Sequence, residues 1–425
     1  MLDALPIVPI THQLHATIQV PGSKSITNRG LLIASLARGT TCLSNALFSD
    51  DSRYFAQALQ KLGFDIKSDP ERTEIIVTGL SGLIPARKAE LYIGNAGTAA
   101  RFLSAFLTLG SGEFTLDGDA RMRERPIGDL ISSLSQLGAK LEPSASDCPP
   151  VKISASGLPG GKTLVSGKIS SQFLSALLMV APYAQHPVEI NLSSDLNSKP
   201  YVDMTLAVMA DFGLNVTREG YQKFVINAGV YRSHKTYDIE PDASAASYFF
   251  AAPAILGGTV RIEHIHRNSR QGDIAFINIL EQMGCSINEA EDFIEVSGSG
   301  QISGVDVDMR DIPDTAQTLA VIAPFATSPT RIRGIASARV KETDRVHATC
   351  LELARLGVSV EEHPDGMTIY PCAAIQPAQI QTYNDHRMAM SFSLIGLRTG
   401  KVIIENPQCV SKTFPSFFTV LETLR

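Results

Sequence analysis

The chain has 425 residues, of which 44% are hydrophobic and 19% charged, enough for two or three domains with their own cores. Its net charge of −6 argues against an extended nucleic-acid surface, although it permits a small basic cleft. The six cysteines show no metal-ligand spacing and predict reduced thiols. Residues 1–19 lack a signal-peptide pattern and no stretch could span a membrane, so we expect a cytoplasmic protein.

Taken in chain order, the sequence alternates apolar helices with short strands. The apolar helices are predicted over 25–36, 97–109, 171–180, 243–255, 314–325 and 385–397. A strand follows each one, at 41–43, 113–116, 188–192, 259–263, 330–333 and 401–405. A second helix then ends in a glycine suited to a left-handed C-cap, at positions 63, 138, 213, 284 and 357, with a hairpin after it. The sixth copy of this second helix lies at the end of the chain.

These elements predict one βαβαββ repeat, recurring every 71–75 residues and present six times. Six repeats exceed what one core supports, so we predict two lobes of three repeats each. The N-terminal lobe is predicted over 22–240, and the C-terminal lobe over 1–21 plus 241–425. The first strand, before Pro21, is expected to join the C-terminal lobe, which gives two crossings between the lobes. The alternative is an ordinary two-domain α/β protein without internal symmetry.

The apolar helices begin with polar residues, as in the stretch GNAGTAAR at 94–101. We expect Asn95 or Thr98 to cap this helix and Arg101 to lean back towards its start. Gly97 would let a ligand approach the backbone. Helix starts carry partial positive charge and free N–H donors, so several of them facing one cleft would attract anions.

The second helices add cations near their starts, namely Arg125, Lys199, Lys341, Arg345 and Lys412. Singly, such residues are usually solvated, but at equivalent positions of a repeat they are typical of a phosphate or carboxylate clamp. Two other signals are weak. Residues 156–163 approximate a phosphate-binding loop but lie between two strands, which favours a hairpin turn. His264 and His266 lack a third ligand, which favours one face of a strand.

Nine motifs then occur in order along essentially the whole chain. They are PGSKSITNR at 21–29, GNAGT at 94–98, RERPI at 123–127, SSQF at 170–173, SKPY at 198–201, IPD at 312–314, RVKETDR at 339–345, NDHRMA at 384–389 and KTFP at 412–415. Together they resemble the 5-enolpyruvylshikimate-3-phosphate synthase family (3-phosphoshikimate 1-carboxyvinyltransferases).

The resemblance implies a two-lobed inside-out α/β barrel with threefold pseudosymmetry in each lobe, in agreement with the repeat count. It implies transfer of the enolpyruvyl group of phosphoenolpyruvate to the 5-hydroxyl of shikimate 3-phosphate with release of phosphate, on the shikimate pathway to chorismate and aromatic amino acids. It implies no metal, no organic cofactor and no nucleic-acid or membrane partner. We also expect a monomer that closes around its ligands in an interdomain cleft.

The resemblance also assigns residues to the two substrates. Those implied for shikimate 3-phosphate are Lys24, Ser25, Arg29, Ser170, Ser171, Gln172, Ser198, Tyr201, Asp314 and Lys341. Those implied for phosphoenolpyruvate are Lys24, Asn95, Gly97, Arg125, Gln172, Arg345, His386, Arg387 and Lys412. Asp314 is implied as the general base, with Glu342 and Lys24 as further proton-handling residues; the acid role is left open among Glu342, Lys24 and Lys412.

This chain departs from the family pattern at two positions. Phe102 replaces a common proline after the motif arginine, and Ser337 stands where many members have asparagine. Gly97 keeps the small residue that is associated with glyphosate sensitivity, which is therefore predicted here.

Three alternatives stay open at this point. A UDP-N-acetylglucosamine enolpyruvyl transferase would share the architecture but relies on a cysteine that residues 110–129 lack. A related-fold protein that processes RNA ends is disfavoured by the negative charge, and a non-catalytic binding protein by the presence of Asp314, Glu342 and Lys412 together.

Overall fold

The computed structural model describes residues 3–425. The helices are α1 (Lys24–Leu36), α2 (Asp50–Lys61), α3 (Gly97–Leu107), α4 (Gly128–Gln136), α5 (Ser171–Val180), α6 (Lys199–Asp211), α7 (Ala243–Leu256), α8 (Phe276–Met283), α9 (Ala316–Ile322), α10 (Arg345–Arg355), α11 (His386–Thr399) and α12 (Phe417–Glu422).

The strands are short. They are β1 (Ala4–Pro6), β2 (Leu14–Ile18), β3 (Arg38–Ser44), β4 (Asp65–Asp69), β5 (Glu74–Leu80), β6 (Lys88–Tyr92), β7 (Ser111–Asp117), β8 (Lys140–Glu142), β9 (Val151–Ser156), β10 (Gly161–Val165), β11 (Val188–Leu192), β12 (Thr217–Glu219), β13 (Lys223–Ile226), β14 (Thr236–Asp238), β15 (Gly258–Glu263), β16 (Ser286–Glu289), β17 (Phe293–Gly298), β18 (Asp306–Asp308), β19 (Thr330–Arg333), β20 (Val360–His363), β21 (Gly366–Ile369), β22 (Ala378–Ile380) and β23 (Val402–Glu405).

The chain divides into two compact units. One is Gly22–Ile239, called here the N-terminal unit. The other, called here the split unit, combines Glu240–Arg425 with the described residues before Gly22. Each unit has its own apolar core, and each is a mixed α/β fold.

Three small sheets form the N-terminal unit, in the strand orders β14-β3-β5-β4, β6-β7-β9-β8 and β10-β11-β13-β12. In each sheet the first two strands are parallel and the other pairs antiparallel. Helix α3 connects the two parallel strands of the second sheet, and α5 connects those of the third. Helix α3 packs against both α1 and α5. Helices α1, α3 and α5 are buried on nearly all faces, which explains their continuous apolar sequences.

The split unit repeats this arrangement in the orders β2-β15-β17-β16 and β18-β19-β21-β20, with a three-stranded sheet β22-β23-β1. The strand before Pro21 lies in this unit, where β2 pairs with β15 from Leu14 opposite Gly258 to Ile18 opposite Ile262. In the last sheet the antiparallel strand is β1, which pairs with β23. Helices α7, α9 and α11 pack on one another inside this unit.

Most of the predicted helices agree closely with the observed ones, and the five predicted C-cap glycines all have positive φ, from 78° to 109°. The helix predicted over 314–325 is shorter, because prolines interrupt it. Its first and last turns, Pro313–Thr315 and Ala323–Phe325, are 3-10.

Two local predictions are wrong. Residues 156–163 do not form a hairpin turn, because β9 and β10 belong to different sheets and the segment connects them. His264 and His266 follow the end of β15 rather than sharing a strand face, and His264 has a φ of 59°. Within residues 3–425 no group of three or more His, Cys, Asp or Glu side chains is placed so that it could hold a metal ion. No helix in the same range combines the length and apolar character needed to cross a bilayer.

Candidate active site

In the N-terminal unit, the predicted site begins at the start of α1. Ser23 caps the helix by accepting a hydrogen bond from the backbone N–H of Ile26. Lys24 follows directly, and its Nζ lies 3.7 Å from Oδ2 of buried Asp51 on α2. The sequence pattern identified the lysine but not its carboxylate partner, which comes from the next helix along the chain.

Arg29 is the buried centre of a polar network in this unit. Its guanidinium donates to Thr205 Oγ1 at 2.7 Å, to the Ser25 carbonyl at 2.9 Å, to the Tyr201 carbonyl at 3.0 Å and to Ser175 Oγ at 3.3 Å. Burial lowers the pKa of Arg29 to about 10. These bonds tie α1 to α5 and α6, so Arg29 fixes the backbone that carries two predicted ligand-binding residues, Ser25 and Tyr201.

Phe102 lies beside this network. Its fully buried ring is 5.3 Å from Cζ of Arg29, a cation–π distance. The residue that departs from the family pattern therefore packs α3 against the arginine of α1.

The start of α3 is arranged around Arg125. Its Nη1 donates to the side-chain oxygen of Asn95 at 2.9 Å and to the Asn95 carbonyl at 3.1 Å. A Cβ on Gly97 would lie 2.4 Å from Nη2 of Arg125. Because Gly97 has no Cβ, the guanidinium of Arg125 can lie over the start of the helix.

The predicted cap of α3 is wrong. The N-cap residue is Ala96, and neither Asn95 nor Thr98 caps the helix, because Asn95 binds Arg125 and Thr98 accepts from Gln172 at 3.3 Å. Arg101 leans back as expected and donates to the Gly97 carbonyl at 3.2 Å.

The next two helix starts complete this cluster. Ser170 caps α5, its Oγ accepting from the N–H of Gln172 at 3.2 Å, and buried Ser171 is the first helical residue. Ser198 precedes α6 with a left-handed φ of 58°, and its carbonyl accepts from the N–H of Tyr201. Gln172 thereby links α5 to α3, while Tyr201 is linked to α1 through Arg29.

In the split unit, the predicted residues form a network of ion pairs around Arg345. Its guanidinium contacts Glu342 at 2.7 Å, Asp385 at 2.8 Å and Asp314 at 3.1 Å. Burial opposes the charge on Arg345, but Asp385, Glu342 and Asp314 outweigh it and raise its pKa. Arg345 therefore stays charged while it fixes three carboxylates.

Asp314 is the carboxylate with the most cationic surroundings. Its Oδ1 lies 3.1 Å from Arg345 and 3.9 Å from Lys341, and its Oδ2 lies 2.9 Å from Arg387. The short 3-10 turn after Pro313 presents it from the start of α9. Contacts with three cations hold the Asp314 carboxylate in one orientation.

Glu342, which contacts Arg345 through Oε2, also pairs through Oε1 with Nζ of Lys412 at 3.7 Å. Asp385, which is fully buried, caps α11 by accepting from the N–H of Arg387. Nδ1 of buried His386 lies 3.5 Å from the same carboxylate. The structure thus brings together all of the predicted residues that belong to this unit.

Two further residues near this cluster were not predicted. Tyr248 on α7 accepts a hydrogen bond from Nη1 of Arg387 at 3.2 Å. Asp273 is buried and accepts a hydrogen bond from Ser244; burial, and then the charge of Asp314, raise its pKa to about 6. Neither lies in a cation-rich motif, and only the polar start of α7 pointed to this region.

Comparisons with known proteins show which family the chain is similar to. The family model "EPSP synthase (3-phosphoshikimate 1-carboxyvinyltransferase)" matches residues 8–421. A 3-phosphoshikimate 1-carboxyvinyltransferase of Trichormus variabilis is 50% identical over 98% of both chains, and one of Sulfurovum sp. is 46% identical over 100% of this chain and 99% of that one.

Solved structures show the same likeness. An EPSP synthase from Acinetobacter baumannii superposes with a TM-score of 0.81 at 26% identity, over 99% of this chain and 98% of that one. The enolpyruvyl transferase NikO from Streptomyces tendae shares the fold, with a TM-score of 0.80 at 16% identity over 99% and 97% of the chains. With the family model covering nearly the whole length, the chain belongs to the EPSP synthase (3-phosphoshikimate 1-carboxyvinyltransferase) family.

Proposed function

We propose that this protein transfers the enolpyruvyl group of phosphoenolpyruvate to the 5-hydroxyl of shikimate 3-phosphate and releases phosphate, on the route to chorismate. The observation that carries the proposal is the placement of Asp314 between Arg345 and Arg387, next to Lys341. A base surrounded by cations suits a reaction in which a hydroxyl must lose its proton beside two anionic substrates.

The cations of the split unit are proposed to hold phosphoenolpyruvate. Arg345 and Arg387 offer the planar donor pairs that suit its carboxylate, whereas Lys412 suits its phosphate. His386 is proposed to line the same site. From the N-terminal unit we assign Lys24, Asn95, Gly97, Arg125 and Gln172 to this substrate.

Shikimate 3-phosphate is proposed to bind mainly to the N-terminal unit. Its ligands are proposed to be Lys24, Ser25, Arg29, Ser170, Ser171, Gln172, Ser198 and Tyr201, with Asp314 and Lys341 from the split unit. The hydroxyls and N–H groups at three helix starts supply the donors that a phosphate requires. Arg29 contributes chiefly by holding Ser25 and Tyr201 in place, because four of its hydrogen bonds go to protein groups.

The chemistry is proposed to be an addition followed by an elimination. A proton adds to the methylene carbon of phosphoenolpyruvate, and the 5-hydroxyl oxygen bonds to the central carbon while Asp314 takes the hydroxyl proton. The tetrahedral intermediate then loses phosphate and one methyl proton, which restores the carbon–carbon double bond. Glu342 and Lys24 are proposed to handle the protons at the methylene carbon. The ion pair between Glu342 and Lys412 supports a part for Lys412 in the same proton transfer.

We further propose that each unit is one lobe of an inside-out α/β barrel with three βαβαββ repeats, and that both clusters act on one pair of substrates. The buried α1, α3 and α5 and the matching strand orders of the sheets support the repeat proposal. A monomeric, cytoplasmic enzyme and closure of the lobes on binding stay predictions.

The test is phosphate release measured with each substrate alone and with both. We expect release only when both are present, and none when UDP-N-acetylglucosamine replaces shikimate 3-phosphate. Release with the nucleotide sugar as acceptor would instead support the other enolpyruvyl transferase.

A further inference from the structure

Tyr248 lies next to the proposed phosphoenolpyruvate site, on a helix that supplied none of the predicted site residues. Its side chain is almost completely buried in α7, and its hydroxyl is 3.2 Å from Nη1 of Arg387. The ring packs edge-to-face on Phe417, with centroids 5.7 Å apart. Because the ring is fixed by packing, the position of the hydroxyl is fixed as well.

The two terminal nitrogens of Arg387 therefore contact different groups. Nη2 lies 2.9 Å from Asp314, and Nη1 donates to Tyr248. One contact to a carboxylate leaves a guanidinium free to rotate about it, whereas a second acceptor at the other nitrogen fixes its plane.

The chemical nature of this second acceptor matters. Burial raises the pKa of Tyr248 to about 12, although Arg387 opposes the shift, so the phenol is neutral at physiological pH. Arg387 already pairs with the carboxylate of Asp314. A second carboxylate at this place would add another negative charge beside it, while a neutral hydroxyl orients the guanidinium and adds none.

We propose that Tyr248 is a positioning residue that sets the orientation of Arg387 for binding the carboxylate of phosphoenolpyruvate. This inference rests on the proposed role of Arg387 as a ligand of that substrate. Tyr248 does not itself contact substrate in this scheme, and its effect passes entirely through the guanidinium.

The test is Tyr248→Phe, which removes one oxygen and keeps the ring. The KM for phosphoenolpyruvate should rise about tenfold, the loss expected for a buried hydrogen bond to a charged group, while the KM for shikimate 3-phosphate stays within about twofold. The matched control is Tyr231→Phe, since Tyr231 is equally buried but donates to the Met179 carbonyl in the N-terminal unit. It should leave both KM values unchanged.

A double-mutant cycle with Arg387→Gln separates the inference from the function on which it rests. If Arg387→Gln raises the KM for phosphoenolpyruvate and Tyr248→Phe adds nothing further in that background, the inference is supported. If Arg387→Gln leaves this KM unchanged, the proposed role of Arg387 fails. If Arg387→Gln raises the KM for phosphoenolpyruvate but Tyr248→Phe does not, the positioning role is overturned. It is also overturned if Tyr248→Phe lowers the melting temperature and changes both KM values alike.

Discussion

Replacing Gly97 with alanine tests how Arg125 covers the start of α3. The new Cβ would lie 2.4 Å from Nη2, 2.8 Å from Cζ and 2.9 Å from Nη1 of Arg125, where ordinary contact begins at 3.4 Å. The guanidinium must therefore move by about 1 Å, since the backbone of a buried helix yields less than the end of a side chain. That movement breaks or lengthens its two hydrogen bonds to Asn95.

A hydrogen bond to a charged group contributes about 1.5–3 kcal/mol, so losing this geometry should weaken phosphoenolpyruvate binding by roughly 10- to 100-fold. The KM for shikimate 3-phosphate should stay within about twofold, because its proposed ligands lie mainly on α1, α5 and α6. Steady-state phosphate release with each substrate varied in turn measures both constants.

Two controls accompany this variant. Alanine is a better helix former than glycine by about 1 kcal/mol, which offsets part of the cost of displacing Arg125, so the melting temperature of Gly97→Ala should fall by only a few degrees. Asn95→Ala removes an acceptor from the same arginine without adding bulk, and should raise the KM for phosphoenolpyruvate in the same direction but less. A Gly97→Ala enzyme with an unchanged KM for phosphoenolpyruvate, or with both KM values raised equally, would refute the argument.

Three further variants address other parts of the two clusters. Asp314→Ala should keep both substrates bound, because removing a carboxylate from among cations does not weaken anion binding; turnover measured by phosphate release should fall by about 100-fold or more. Asp273→Asn removes a carboxyl group whose pKa is about 6 in the folded protein, above its ordinary value of 3.8. Its stabilising contribution is present below the ordinary value and is lost as the pH rises through 6, so urea unfolding should show the wild type losing stability relative to this variant between pH 4 and 7. Phe102→Leu removes the ring beside Arg29 and should raise the KM for shikimate 3-phosphate about threefold in the same kinetic assay.

Each of these expectations has a clear opposite. Near-normal phosphate release by Asp314→Ala would remove this residue from the mechanism. A stability difference between wild type and Asp273→Asn that is flat with pH would mean that this carboxylate has an ordinary pKa. A Phe102→Leu enzyme whose KM for phosphoenolpyruvate rises while that for shikimate 3-phosphate does not would assign the ring to the other substrate.

The sequence predicted most of the helices because their signals are local. Apolar runs, polar helix starts and the C-cap glycines all act within a few residues, so the periodicity located α1, α3 and α5 closely. The helix containing α9 was overextended, because Pro313 and Pro324 convert its ends into 3-10 turns within an otherwise helical pattern.

The partners of the site residues were harder to predict because they come from distant parts of the chain. Asp51, Asp385 and Tyr248 contact Lys24, Arg345 and Arg387 respectively. Nothing local distinguishes a carboxylate that holds an arginine from one that is solvated. The wrong cap at α3 has the same origin, since Arg125, from the following loop, competes for the side chain of Asn95.

The pairing of β2 with β15 and of β1 with β23 bears on how the protein is made. All three sheets of the N-terminal unit lie within one continuous segment, so this unit can fold while the ribosome is still at work. The leading strands emerge first yet find their partners only after residues 258 and 402 have been synthesised. In the nascent chain, β1 and β2 therefore stay without their partner strands while the N-terminal unit folds. A circular permutant that begins at Gly22 would remove that delay.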